Sequence, residues 1–117
     1  MKKTVLVGVS GGIAAYKSCE LVSLLRKRNY NVKVVMTKNA TEFVAPLSFE
    51  TLSNNEVMLD TFAEKKKFDV KHVSIAKEAD LFIVAPATAD VIAKFSNGIC
   101  DDMLTTTYAA FFKPVLI

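Results

Sequence analysis

Gly8-Val9-Ser10-Gly11-Gly12-Ile13 is the stretch whose reading decides the fold of this chain. Before and into it, Thr4 to Val9 is a short apolar run rich in valine. Such a run is the mark of a strand buried on both faces of a parallel sheet. After it, Ile13 to Arg28 carries apolar residues at Ile13, Leu21, Leu24 and Leu25 and ends on Arg26, Lys27 and Arg28. Cations at that end complement the helix dipole, so a helix is predicted there. Asn31 then opens a second strand, Val32 to Met36. Strand, helix and strand in immediate succession make a βαβ unit.

The same alternation continues outward. Ala45-Pro46 breaks the chain and Leu47 to Leu52 reads as a short helix, followed by a less regular stretch from Asn54 to Phe68. Val73 to Ala79 is predicted helical, Leu81 to Ala85 a buried strand ended by Pro86, and Ala89 to Phe95 a helix closed by Asn97-Gly98. Asp101-Asp102 can cap a further helix from Met103 to about Phe112, and Val115 to Ile117 reads as an interior strand. Helices alternating with buried strands imply a single α/β domain: a Rossmann-like (flavodoxin-like), doubly wound parallel sheet. Because the chain ends on what reads as an interior strand, it is expected to be a fragment of a longer protein.

Composition narrows the function classes. With 117 residues, 51% of them apolar, one domain with a substantial core is expected. No apolar run approaches the roughly 18 residues of a membrane span, and the short stretch after Met1-Lys2-Lys3 leads into a glycine turn, not a cleavage site. The expectation is a cytoplasmic protein without a membrane partner. A net charge of +3 is no nucleic-acid footprint, and the Lys65-Lys66-Lys67 run reads as a solvated loop. Cys19 and Cys100 lack metal-ligand spacing and are expected to be reduced and buried. Asp101-Asp102 has no third ligand nearby, so no metal is expected.

Ligands of doubly wound sheets bind beyond the carboxyl ends of the strands, which directs attention to residues 8–13, 37–43 and 86–90. In the first loop, glycines let the backbone approach an anion, the helix start offers unpaired N–H groups, and Ser10 adds a hydroxyl. This loop is neither G-x-G-x-x-G, because Ser10 holds the second glycine position, nor a P-loop. The second strand ends on Met36-Thr37-Lys38-Asn39, where a dinucleotide fold would place an acid for the ribose hydroxyls. A hydroxyl and a cation there disfavour NAD and suit a second contact to a single phosphate, and FMN is the common cofactor with that need. In Ala85-Pro86-Ala87-Thr88-Ala89-Asp90, Pro86 sets a turn, small residues leave room for a flat ring, and Thr88 is either a ligand contact or an N-cap. His72 is the one histidine of the sequence. A following helix and neighbouring Lys71 both disfavour the imidazolium, leaving a neutral ring able to act as base or acceptor.

Three segments in order then resemble one family over the whole chain. They are Gly8-Val9-Ser10-Gly11-Gly12-Ile13-Ala14-Ala15-Tyr16-Lys17, Ala85-Pro86-Ala87-Thr88-Ala89-Asp90 continued by Ile92-Ala93-Lys94, and Gly98-Ile99-Cys100-Asp101-Asp102-Met103-Leu104-Thr105-Thr106-Thr107. Together they resemble the phosphopantothenoylcysteine decarboxylases, which belong to the homo-oligomeric flavin-containing cysteine decarboxylases. In bacteria this domain is often the N-terminal half of a bifunctional protein that also carries the preceding ligase. The resemblance implies FMN lying between subunits of a homotrimer or a multiple of it. It implies that Ser10, Gly11, Gly12 and Ile13 form the first phosphate loop, with Thr37 as the hydroxyl after the second strand. It sets Phe43 beside the flavin, Ala87, Thr88, Ala89 and Asp90 at the flavin edge, and His72 as the catalytic histidine.

The implied reaction belongs to coenzyme A biosynthesis. The cysteine end of phosphopantothenoylcysteine is oxidised to a thioaldehyde with FMN as oxidant, carbon dioxide leaves, and hydride returned to the enethiol yields phosphopantetheine. The family's Pro-x-Met-Asn segment and its lid cysteine would follow the last strand and lie beyond this chain; neither Cys19 nor Cys100 matches that cysteine. The chain alone is therefore expected to lack full turnover. Alternatives within reach of the same residues are a peptidyl-cysteine decarboxylase, a flavin prenyltransferase, or a non-catalytic FMN-binding regulatory subunit.

Overall fold

The computed structural model describes residues 2–59 and 74–117. Four strands, β1 (Thr4–Val9), β2 (Asn31–Met36), β3 (Leu81–Val84) and β4 (Val115–Leu116), form one sheet in the order β2-β1-β3-β4. Every pairing is parallel, with Thr4 opposite Asn31, Val5 opposite Leu81 and Phe82 opposite Val115. All six residues of β1 are buried, as its unbroken apolar run predicts for a central strand. The period of two along the strand divides them between two cores. Val5, Val7 and Val9 pack with Val22 and Phe49, which belong to α1 (Lys17–Lys27) and α2 (Pro46–Ser53). Leu6 packs with Val91 and Leu104, from α3 (Ala89–Asn97) and α4 (Met103–Ala110). Helices on both faces of a parallel sheet make the fold doubly wound, as expected.

Several details differ from the sequence reading. The first helix begins as a 3-10 turn, Ile13–Tyr16, and its buried residues are Ala15, Ser18 and Val22. Ile13 and Leu24 are exposed instead. Small side chains let this helix lie close on the sheet, and the Ser18 hydroxyl donates to the Ala85 carbonyl at 2.5 Å. The last helix stops at Ala110, because Phe111 turns into the core and meets Phe82 edge-on at 5.5 Å between ring centroids. In the stretch read as irregular, Met58 bridges to Val35 in parallel and extends the sheet beyond β2. The last strand pairs with β3 alone among the described residues, and Leu116 and Ile117 are exposed, not interior. Cys100 is also exposed and Cys19 half-buried, where burial was expected for both; partial burial pushes the Cys19 thiol up. Of the expected helix at Val73 to Ala79, residues 74–78 are helical and Val73 lies outside the described residues. Lys65 to Lys67 lie outside them too.

The caps behave as their chemistry requires. Thr88 accepts from the Val91 amide at 3.2 Å, and Gly98 closes α3 with φ 69°, a left-handed conformation that glycine adopts freely. Asp102 and Thr105 form a capping box at the start of α4, with the Thr105 amide donating to Asp102 Oδ1 at 2.7 Å. Asp102→Ala should therefore lower unfolding stability by about 1–2 kcal/mol. Denaturant titration reads this directly, and an unchanged midpoint would show that the box adds nothing.

Candidate functional site

The sheet order places the topological switch between β1 and β3: the chain leaves β1 towards β2 and later returns to pair β3 on the other side. Two loops meet at this crevice. The Ser10 amide donates to the Pro86 carbonyl at 3.2 Å, the Ser10 hydroxyl also donates to that carbonyl, and the Thr88 amide donates to Ser10 Oγ at 3.0 Å. Ser10 is 1% exposed, so its hydroxyl ties the β1 loop to the β3 loop. A third loop joins from β2. The Thr37 amide donates to the Val9 carbonyl at 3.0 Å, and Thr37 Oγ1 accepts from the Ala40 amide at 3.1 Å.

These loops surround a cavity of about 550 Å³ lined by Ser10, Gly11, Thr37, Thr88 and Asp90, all of which the sequence had singled out. Lys38, Asn39, Val91, Lys94, Asp101 and Asp102 complete its wall. Gly12, on the same turn, is not among the lining residues; an added Cβ there would stand 3.6 Å from Pro86 and 3.9 Å from Thr88. Ile13, Phe43, Ala87 and Ala89 do not line the cavity: Ile13 and Phe43 are exposed, as is Ala89, and Ala87 packs against the core. His72 lies outside the described residues. Thr88 and Thr37 each accept a local backbone hydrogen bond, yet each hydroxyl keeps its own proton to donate.

The electrostatics are mixed. Lys94 lies 3.3 Å from Asp90, one turn back on α3, and 3.1 Å from Asp101 on the loop before α4. Asp101 chiefly holds the Lys94 ammonium above the usual lysine range; partial burial works against it and Asp90 adds to it. Lys94 and Val91 were not among the predicted site residues. The i, i+4 spacing of Asp90 and Lys94 was a signal that both share a helix face. Asp101 and Asp102 were read only as caps, because the fold alone brings the start of α4 to this wall. Among the described residues, no group of three His, Cys, Asp or Glu side chains could hold a metal ion, and no helix is long and apolar enough to cross a membrane.

A phosphate-bearing ligand fits this chemistry. The amides of Gly11, Ile13, Lys38 and Asn39 have no acceptor among the described residues; Gly11, Lys38 and Asn39 line the cavity, and Ile13 follows two residues after Gly11 outside the lining. The volume falls in the range of small-molecule sites, roughly 300–1,000 Å³. Fold and cavity thus define an α/β domain with an open cavity at the switch point of its sheet. Residues 1–117 match the family model described as Flavoprotein, and the chain belongs to that family.

Its relatives are consistent with that membership. The chain is 55% identical over 115 residues to the Coenzyme A biosynthesis bifunctional protein CoaBC of Bacillus subtilis (strain 168), covering 98% of this chain and 28% of that protein. It therefore spans little more than a quarter of this curated relative's length. Among solved structures, the FMN-dependent cysteine decarboxylase TvaF from thioviridamide biosynthesis superposes with a TM-score of 0.87 at 29% identity, covering 98% of this chain and 71% of that one. A PPC decarboxylase mutant complexed with pantothenoylaminoethenethiol gives a TM-score of 0.81 at 28% identity, covering 98% and 65%.

Proposed function

We propose that this chain is the FMN-binding part of a phosphopantothenoylcysteine decarboxylase acting in coenzyme A biosynthesis. The observation that carries this reading is the meeting of the Ser10–Gly12 and Thr37–Asn39 turns, with their unpaired amides, at one cavity in a Flavoprotein-family fold. The names of the CoaBC relative and of the PPC decarboxylase structure supply the substrate class.

In this reading the Gly11 and Ile13 amides and the Thr37 hydroxyl hold the FMN phosphate, and Lys38 adds a cation at the rim. Thr88 and Asp90 bound the other side of the cavity, and Ala87 and Ala89 leave space at the flavin edge. Phe43 lies off the cavity of a single chain and is available to a flavin shared with a neighbour. FMN, when bound, supplies the oxidation and reduction chemistry. His72 holds the cysteine end of the substrate and manages a proton as oxidation begins; this role rests on the resemblance of its sequence position.

The same reading gives a homotrimer, or a multiple of it, working in the cytoplasm. It is supported by Ile13, Tyr16, Phe43 and Leu47, large apolar side chains left exposed on the segments that follow β1 and β2. The test is turnover. A protein carrying this chain should release carbon dioxide from phosphopantothenoylcysteine and leave phosphopantetheine, while peptides ending in cysteine should be poor substrates. The reverse preference would move the chain to the peptidyl-cysteine decarboxylases.

A further inference from the structure

Two hydroxyl residues on the cavity wall, Ser10 and Thr37, are nearly closed off from water, at 1% and 7% exposure. Such a hydroxyl has one proton to donate and two lone pairs with which to accept. At Thr37 the proton is unspent among the described residues, since Oγ1 only accepts, from the Ala40 amide. At Ser10 it is spent: the hydroxyl donates to the Pro86 carbonyl, and a lone pair takes the Thr88 amide at 3.0 Å. The Ser10 amide meets the same Pro86 carbonyl at 3.2 Å, so three hydrogen bonds join this one residue to the loop before α3. On its other side the Ser10 carbonyl accepts from the Gly12 amide at 3.1 Å, which fixes the turn that leaves the Gly11 amide free.

We propose that Ser10 is a positioning residue, a strut that sets the spacing between the Gly11–Ile13 turn and the Pro86–Thr88 wall, and that its hydroxyl makes no contact with the FMN phosphate. The inference rests on the FMN reading and deepens it, since it divides the two buried hydroxyls between binding and positioning. The oxygens of a phosphate monoester at neutral pH are strong acceptors and ask for donors. To serve one, Ser10 would have to withdraw its proton from the Pro86 carbonyl at a position where solvent cannot replace the lost hydrogen bond. Thr37 gives up nothing in donating its proton. Gly11 lines one side of the cavity and Thr88 another, so a ligand that fills it depends on the spacing that Ser10 sets.

The test uses the protein that carries this chain in unsubstituted, Ser10→Ala and Thr37→Val forms. It has two readouts: fluorescence titration with FMN and with riboflavin, and hydrogen–deuterium exchange resolved at the Thr88 amide. Riboflavin has the ring and ribityl chain of FMN without the phosphate. Loss of a strut weakens both flavins, whereas loss of a phosphate donor weakens FMN alone. Ser10→Ala should raise both Kd values about fivefold to tenfold, by factors that agree within about twofold. Exchange at Thr88 should quicken about tenfold while the amides of β1 keep their rates. In the unsubstituted protein Thr88 should stay protected when FMN binds. Thr37→Val should raise the Kd for FMN about tenfold and that for riboflavin by less than about twofold. An FMN-selective loss in Ser10→Ala would overturn the proposal and make Ser10 a phosphate ligand. Unchanged flavin affinities in Ser10→Ala would also overturn it, as would loss of Thr88 protection on FMN binding. Faster exchange in β1 as well as at Thr88 would do the same, leaving Ser10 a general support of the fold. A Thr37→Val protein without FMN-selective loss would overturn the division between the two hydroxyls. If the unsubstituted protein fails to bind FMN, the FMN reading itself falls, and this inference with it; every other failure leaves FMN bound to that protein.

Discussion

Gly12→Ala should leave the fold intact and remove most of the affinity for flavin, whereas Gly11→Ala should damage both. The two neighbours differ in what the chain itself demands of them. At Gly11 an added Cβ would stand 2.5 Å from Asn39 Cβ and 2.9 Å from its carbonyl carbon, so the backbone of the β2 loop would have to move. Overpacking of that kind costs about 1–3 kcal/mol and would displace the Lys38–Asn39 turn as well. At Gly12 the backbone is extended, with φ −128°, and the nearest atoms to an added Cβ are 3.6 Å away, an ordinary contact. Folding therefore gives no reason for a glycine at Gly12, but close approach of a ligand to the turn does. A methyl group there should weaken FMN binding roughly tenfold to a hundredfold with an unchanged unfolding midpoint. Unchanged FMN affinity in Gly12→Ala would remove this turn from the phosphate site.

The second large effect is expected at His72, which lies outside the described residues, so its case is made from sequence. Only Val73 separates it from the helical residues 74–78, and that sequence position is what the resemblance matches to a catalytic histidine. His72→Asn keeps the size and some of the hydrogen bonding of the ring. It should preserve bound FMN and lower decarboxylation about a hundredfold or more, the usual contribution of a general acid–base group. Bound flavin and turnover need to be measured side by side. Normal turnover per bound flavin would take His72 out of the mechanism, and turnover falling only in step with lost flavin would make it structural.

Much of the fold was legible because local and global signals agree in β1, β2 and α3. A continuous valine run, a glycine turn and well-placed caps need no tertiary knowledge to be read. Long-range pairing was not legible: the bridge from Met58 to Val35 involves a single residue in a stretch without alternation. The buried face of the first helix was misread because Ala15 and Ser18 face the sheet while the larger Ile13 and Leu24 do not. Of the cavity wall, Ser10, Gly11, Thr37 and Thr88 were legible because they sit on the loops at strand ends, and Asp90 because it lies in the first turn of the helix that follows one of them. Lys94, Asp101 and Asp102 were missed as wall residues because their place depends on how α3 and α4 pack together. The demand for glycine at Gly11 comes likewise from Asn39, on the far side of a βαβ crossover.

The central claim is that the cavity between β1 and β3 holds FMN, and the ligand itself decides it. Purified protein should be denatured in the dark and the released chromophore identified by chromatography and mass. The account predicts FMN, with no more than about one equivalent for each chain if the cavity is its one site. Release of FAD or a nicotinamide dinucleotide as the native ligand would contradict it.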